Sequence, residues 1–122
     1  MIGYVTLGTN DLDRAAAFYD ALLGELGATR ALQEEHFIAW ATAADNPMLS
    51  VIRPFDQNPA SVGNGTMVAL ALDNPAQVDA VYQKAMELGA RDEGAPGERG
   101  PGFYAAYFRD PDGNKLAVFK TG

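Results

Sequence analysis

Val5-Thr-Leu-Gly-Thr-Asn-Asp-Leu-Asp-Arg-Ala-Ala-Ala-Phe-Tyr-Asp-Ala-Leu-Leu-Gly-Glu-Leu-Gly-Ala28 recurs further on as Val68-Ala-Leu-Ala-Leu-Asp-Asn-Pro-Ala-Gln-Val-Asp-Ala-Val-Tyr-Gln-Lys-Ala-Met-Glu-Leu-Gly-Ala90. Val5 and Leu7 answer to Val68 and Leu70, Tyr19 answers to Tyr82, and both copies close on Glu-Leu-Gly-Ala. Self-similarity at this spacing means two like modules in one chain. Within each copy the pattern changes period. Ile2-Gly-Tyr-Val-Thr-Leu alternates as a half-buried strand does, then Leu12, Ala15, Ala16, Tyr19, Leu22, Leu23 and Leu26 recur at helical steps. Asn10 or Asp11 can cap that helix, and Gly27 can end it.

Three short strands are expected next, over 28–33, 37–42 and 48–53, separated by Glu34-Glu35 and by the turn residues Ala44-Asp-Asn-Pro47. The second copy repeats the plan. Its strand spans 66–72, and Asn74-Pro75 places a cap before a proline at the first helical position. Val78, Val81, Tyr82, Ala85 and Leu88 form the stripe, and strands are expected over 91–93, 103–109 and 115–120. Asp110-Pro-Asp-Gly-Asn114 joins the last two as a hairpin turn. The glycines at 94, 97, 100 and 102 read as a flexible approach to the strand at 103, since no helix follows them as a phosphate loop requires.

The expected fold is α+β: two tandem βαβββ modules forming a cupped, mostly antiparallel eight-stranded sheet, with a helix on the outer face of each module. Module one covers 1–54, a polar connector 55–64, and module two 65–122, all within one domain over 1–122. If Val5 and Leu7 go under the helix, Tyr4 and Thr6 face the cup, and by the repeat so do Met67 and Ala69.

Composition narrows the function. A chain of 122 residues, 48% hydrophobic and 10% aromatic, can close a core without covalent staples. It has no cysteine, which removes disulfides, thiolate metal sites and cysteine nucleophiles. A net charge of −7 opposes nucleic acid and anionic lipid surfaces. No apolar run approaches the roughly 20 residues of a membrane span, and no charged-then-apolar leader opens the chain. The expectation is a cytoplasmic protein with neither membrane nor nucleic acid as partner.

Chemistry-bearing clusters are scarce. His36 is the one histidine, beside Glu34 and Glu35, and a lone histidine is more often a structural or surface residue than a ligand. Asp110, Asp112 and Asn114 open like a calcium loop, but the glycine falls at 113 and Thr121 stands where the bidentate glutamate belongs, so a turn is expected. Asn64-Gly-Thr66 spells a glycosylation acceptor and reads equally as a turn. No serine sits in a nucleophile elbow, and Asp13, Glu34, Glu35 and Glu87 read as a solvated face.

With Asn10-Asp-Leu-Asp-Arg-Ala-Ala-Ala-Phe-Tyr19 near its start and Tyr104-Ala-Ala-Tyr-Phe-Arg-Asp-Pro-Asp-Gly-Asn-Lys-Leu116 near its end, the duplicated chain resembles the vicinal oxygen chelate superfamily. That superfamily holds glyoxalase I, bleomycin-resistance proteins and extradiol dioxygenases. In its metal-using members, the resemblance implies, the cup holds a divalent ion through His, Gln or Glu on the first and last strand of each module. Carried onto this chain, those positions fall at Tyr4, Ser50, Met67 and Ala117, none a usual ligand. The expectation is therefore no metal, no cofactor and no catalytic residue. The cup would be lined instead by Tyr4, Thr6, Trp40, Ser50, Met67, Tyr104 (or its neighbour Phe103) and Phe119, with Met48 beside them, a surface suited to a small organic molecule. Bleomycin-resistance relatives are acidic dimers that sequester a cationic drug, so a cationic ligand and a homodimer are what that branch implies. The alternative is a metal-dependent glyoxalase-like lyase or dioxygenase-like enzyme with atypical ligands. Whether Arg53, Arg99 or Arg109 reaches the cup is left open by the sequence.

Overall fold

The computed structural model describes all residues, 1–122, and the elements follow in the order strand, helix, three strands, twice over. Module one comprises β1 (Tyr4–Gly8), α1 (Leu12–Gly24), β2 (Thr29–Gln33), β3 (Phe37–Ala41) and β4 (Met48–Ile52). Module two comprises β5 (Val68–Ala71), α2 (Pro75–Glu87), β6 (Arg91–Glu98), β7 (Phe103–Arg109) and β8 (Lys115–Thr121). The eight strands form two four-stranded mixed sheets, ordered β1-β4-β3-β2 and β5-β8-β7-β6. Only the first strand of each runs parallel to its neighbour; the other pairs are antiparallel. The expected pair of βαβββ modules is thus the observed architecture. By compactness the chain divides into Met1–Val62 and Gly63–Gly122.

The helices start and stop for the reasons their sequences suggest. Asp11 caps α1, its carboxylate accepting from the Arg14 amide at 3.0 Å, and Asn74 caps α2 by accepting from the Gln77 amide at 2.8 Å. Gly27 and Gly89 take φ of +79° and +92°, where a side chain would be strained. The next amide then turns back onto the helix end, Ala28 to the Leu23 carbonyl at 3.0 Å and Ala90 to that of Ala85 at 2.9 Å. The last hairpin is also a built turn. The Asp110 carboxylate, 4% exposed, accepts from the Asp112 and Asn114 amides at 2.9 Å each and from the Asn114 side chain at 3.0 Å.

Two stretches differ from the sequence reading. Residues 94–97 belong to β6 and are no flexible approach: Gly94 pairs with Tyr107 and Gly97 with Ala105, across register shifts on either side of Gly94. The reason is steric. A Cβ on Gly94 would lie 3.0 Å from the Tyr107 ring, and one on Gly97 would lie 3.0 Å from the Arg99 guanidinium, so the glycines admit those groups against the strand. The second difference is the facing of two aromatic residues.

Candidate functional site: the helix-free sheet faces

Each helix covers one face of its own sheet, and register assigns every strand residue to the covered or the uncovered side. In module one Val5, Leu7, Leu49, Val51, Ile38 and Trp40 are in register on the α1 side. Tyr4 pairs with Met48, Thr6 with Ser50, and Ser50 with Ala39 on the helix-free side. Tyr4 is 66% exposed, while Ser50 is buried, its hydroxyl donating to the Val5 carbonyl at 2.9 Å and lying 3.2 Å from Thr6 Oγ1. Trp40, expected with these residues, lies under the helix instead. Its Nε1 donates to Asp20 of α1 at 2.8 Å, and its ring centroid is 5.7 Å from that of Tyr19. A buried indole needs a partner for its N–H, and Asp20 supplies it.

Asp20 also takes a two-pronged ion pair from Arg30, at 2.9 and 2.7 Å. The Arg30 hydrogen bonds, with that of Trp40 behind them, hold its carboxyl below the usual 3.8 despite some desolvation.

In module two Val68, Leu70, Leu116, Val118, Ala106 and Phe108 share the α2 side. Tyr104 is in register with them and its hydroxyl donates to Asp79 of α2 at 2.6 Å, so it too is helix-facing and leaves the expected lining. Its neighbour Phe103 takes the helix-free side, with its ring centroid 5.7 Å from that of Phe119. Ala69, Ala117 and Tyr107 are in register between them and the far end of the sheet, and Met67, 42% exposed, stands just before β5.

Of the expected lining, module one therefore brings together Tyr4, Thr6 and Ser50 with Met48, and module two brings together Phe119 with Phe103 and Ala117. Sequence reasoning missed Tyr107, flanked by the Arg99 guanidinium at 5.6 Å and the Lys115 ammonium at 5.5 Å from its centroid. Only its pairing with Ala117 across β7 and β8 assigns it to this face, since its strand is apolar or aromatic at every step. Sequence reasoning also missed a cleft of about 640 Å³ around exposed His36, with Thr9, Asn10, Glu35 and Arg53 in its wall. A second groove of about 500 Å³ lies beside Met48, along Leu32, Ala41 and Thr42.

The family model for the Glyoxalase/Bleomycin resistance protein/Dioxygenase superfamily matches residues 1–118. The chain belongs to that superfamily. A superfamily member of known structure, a glyoxalase/bleomycin resistance protein from Albidiferax ferrireducens T118, is 34% identical, with 98% of this chain and 97% of that one covered and a TM-score of 0.90. The lactoylglutathione lyase from Agrobacterium tumefaciens is 25% identical over 98% of this chain and 92% of its own, with a TM-score of 0.72. A glyoxalase/bleomycin resistance protein/dioxygenase family enzyme from Burkholderia phytofirmans PsJN, at 18% identity, 98% coverage of both chains and a TM-score of 0.78, shares the fold. No curated protein matches this superfamily member by sequence.

The divalent ion that some superfamily members use does not fit these residues. Tyr4 and Met67 offer an exposed phenol and a thioether, the Ser50 hydroxyl is engaged by the Val5 carbonyl, and Ala117 has no donor. No three His, Cys, Asp or Glu side chains stand together as a metal-holding group. No helix is long and apolar enough to cross a membrane.

Proposed function

We propose that this superfamily member is a metal-independent binder of a small organic molecule, held on a helix-free sheet face. The observation that carries the reading is the donor set: short hydroxyls, alanines, methionine and aromatic rings occupy the faces where a metal enzyme would need imidazole and carboxylate groups. Such surfaces hold ligands by stacking and a few hydrogen bonds. Tyr4 is the polar handle of module one, a phenol standing free beside Met48.

Elemental analysis of protein purified without chelators tests the reading. Substoichiometric Ni, Zn, Mn and Fe supports it; a full equivalent of one of these would restore the alternative of a metal-dependent lyase or dioxygenase. Tyr4→Phe is expected to weaken ligand binding more than folding, and equal loss of both would remove Tyr4 from the site. The same reading carries a cytoplasmic homodimer, which light scattering would register as twice the 13.0 kDa chain mass.

A further inference from the structure

Tyr107 sits in module two with two cations near its ring, the Arg99 guanidinium 5.6 Å and the Lys115 ammonium 5.5 Å from its centroid. The Arg99 guanidinium lies over the ring and donates to the Ala95 carbonyl, filling the notch that Gly94 and Gly97 leave open. The Lys115 ammonium approaches the same ring from β8. Neither cation has a carboxylate partner. Among the acids of β6, Glu93 binds Arg109 at 3.1 Å, Asp92 accepts from the Tyr82 hydroxyl and the Gly94 amide at 2.9 Å each, and Glu98, in register with Tyr104, takes the helix-facing side.

Two unpaired cations converging on one ring is unexpected in a chain of net charge −7, where sixteen carboxylates face nine Lys and Arg. Like charges repel, so their juxtaposition has to be offset by something, and the ring face offsets only part of it. An anion seated between them would offset the rest. Next to this charged end the residues in register on the sheet are apolar. Ala105 and Ala117 are buried, and Ala69, Phe103 and Phe119 keep exposed surface beside them. Tyr107 and Phe103 stand four residues apart on β7, about 13 Å at roughly 3.3 Å per residue.

We propose that Arg99 and Lys115, closing on Tyr107, form the charged end of a ligand site whose occupant is a small organic anion, with its apolar body lying along the half-exposed rings of Phe103 and Phe119. The inference rests on the binding reading above and gives it a charge sign. Net charge would favour a cationic ligand at long range, but local groups decide the contact. Arg99 keeps guanidinium donors beyond the one given to Ala95, which suits carboxylate or phosphate oxygens.

The test is a matched set of probes on the full chain, followed by amide chemical shifts: 3-phenylpropionate, phenyl phosphate, and the neutral 3-phenylpropionamide. The two anions are expected to shift residues 94–99, 103–107 and 115–119, and the tighter of them names the headgroup. The amide should bind about tenfold or more weakly. Arg99→Gln and Lys115→Gln should each weaken the anions about tenfold, leave the amide unchanged, and leave the melting temperature near that of the parent. Equal affinity for anion and amide at these residues would overturn the charge assignment and spare the binding surface. Silence toward all three probes would overturn the assignment and, with it, binding on this face. Arg99→Gln lowering the melting temperature without touching anion affinity would make the cations props for Tyr107 and sink the proposal.

Discussion

Module one and module two share a topology, a capping scheme and a helix ending, yet they fill the space under the helix differently. Helix α1 buries seven side chains, Leu12, Ala15, Ala16, Phe18, Tyr19, Leu22 and Leu23, whereas α2 buries three, Val78, Val81 and Ala85. Module one packs Tyr19 against Trp40 and ties the indole to Asp20. Module two has Phe108 where Trp40 would be and moves its polar links to the rim, as Tyr82 to Asp92 and Tyr104 to Asp79. The uncovered faces diverge further: short hydroxyls and methionine on one, aromatic rings and cations on the other. The βαβββ plan requires apolar alternation, caps and a stripe per helix, and it leaves the uncovered face to be chosen separately.

The widest test of that contrast is Trp40→Ala. Removing a large buried side chain and leaving Asp20 without its indole donor should cost about 3–5 kcal/mol, read by urea denaturation with circular dichroism. A cost below about 1 kcal/mol would mean that module one does not rest on this aromatic pair. A smaller effect is expected at Gly94, where an alanine Cβ meets the Tyr107 ring at 3.0 Å and Arg99 at 3.3 Å. Gly94→Ala should destabilise by about 1–2 kcal/mol. Leu32→Ala at the corresponding uncovered place in module one, where the side chain is 44% exposed, should stay within about 0.5 kcal/mol. Equal costs would erase the distinction between the two second strands.

The effects of pH are also small, and the modules should respond at opposite ends of the scale. Asp20 is depressed below 3.8, first by its Arg30 hydrogen bonds, so its contribution is whole above that value and fades as pH falls through the lower folded-state value. The pair is partly exposed, which limits the loss to about 0.5–1 kcal/mol, and Asp20→Asn should flatten the acid limb followed by Trp40 fluorescence. Tyr82 is raised above 10.0, first by desolvation and then by Asp92, and Tyr104 first by its bond to Asp79. Their contributions are whole below 10.0 and disappear as pH climbs through the raised values. Tyr82→Phe with Tyr104→Phe should flatten the alkaline limb alone; flattening of the acid limb by the tyrosine pair would break the assignment of each limb to its module.

Much of the fold is legible because its signals are local. A cap such as Asp11 or Asn74, a glycine at 27 or 89, and an aspartate followed by Pro-Asp-Gly act within one turn of chain, so residues a few positions apart suffice to place them. The facing of β1 and β5 is equally readable, since Val5 and Leu7 alternate with Tyr4 and Thr6. The candidate site is less so. Phe37-Ile-Ala-Trp-Ala41 and Phe103-Tyr-Ala-Ala-Tyr-Phe108 are apolar or aromatic at every step, so alternation carries no signal for Trp40 or Tyr104.

The sequence by itself determined the duplication, the helices with their ends and the closing turn. Only the tertiary structure decided which side of β3 and β7 faces the helix, that β6 runs through Gly94 and Gly97, and that Arg99 and Lys115 meet at Tyr107. A strand's own pattern leaves two facings open. Trp40 finds its acceptor 20 residues away at Asp20 and Tyr104 finds its own 25 away at Asp79, and contacts at that range exist only once the sheet and helix have packed.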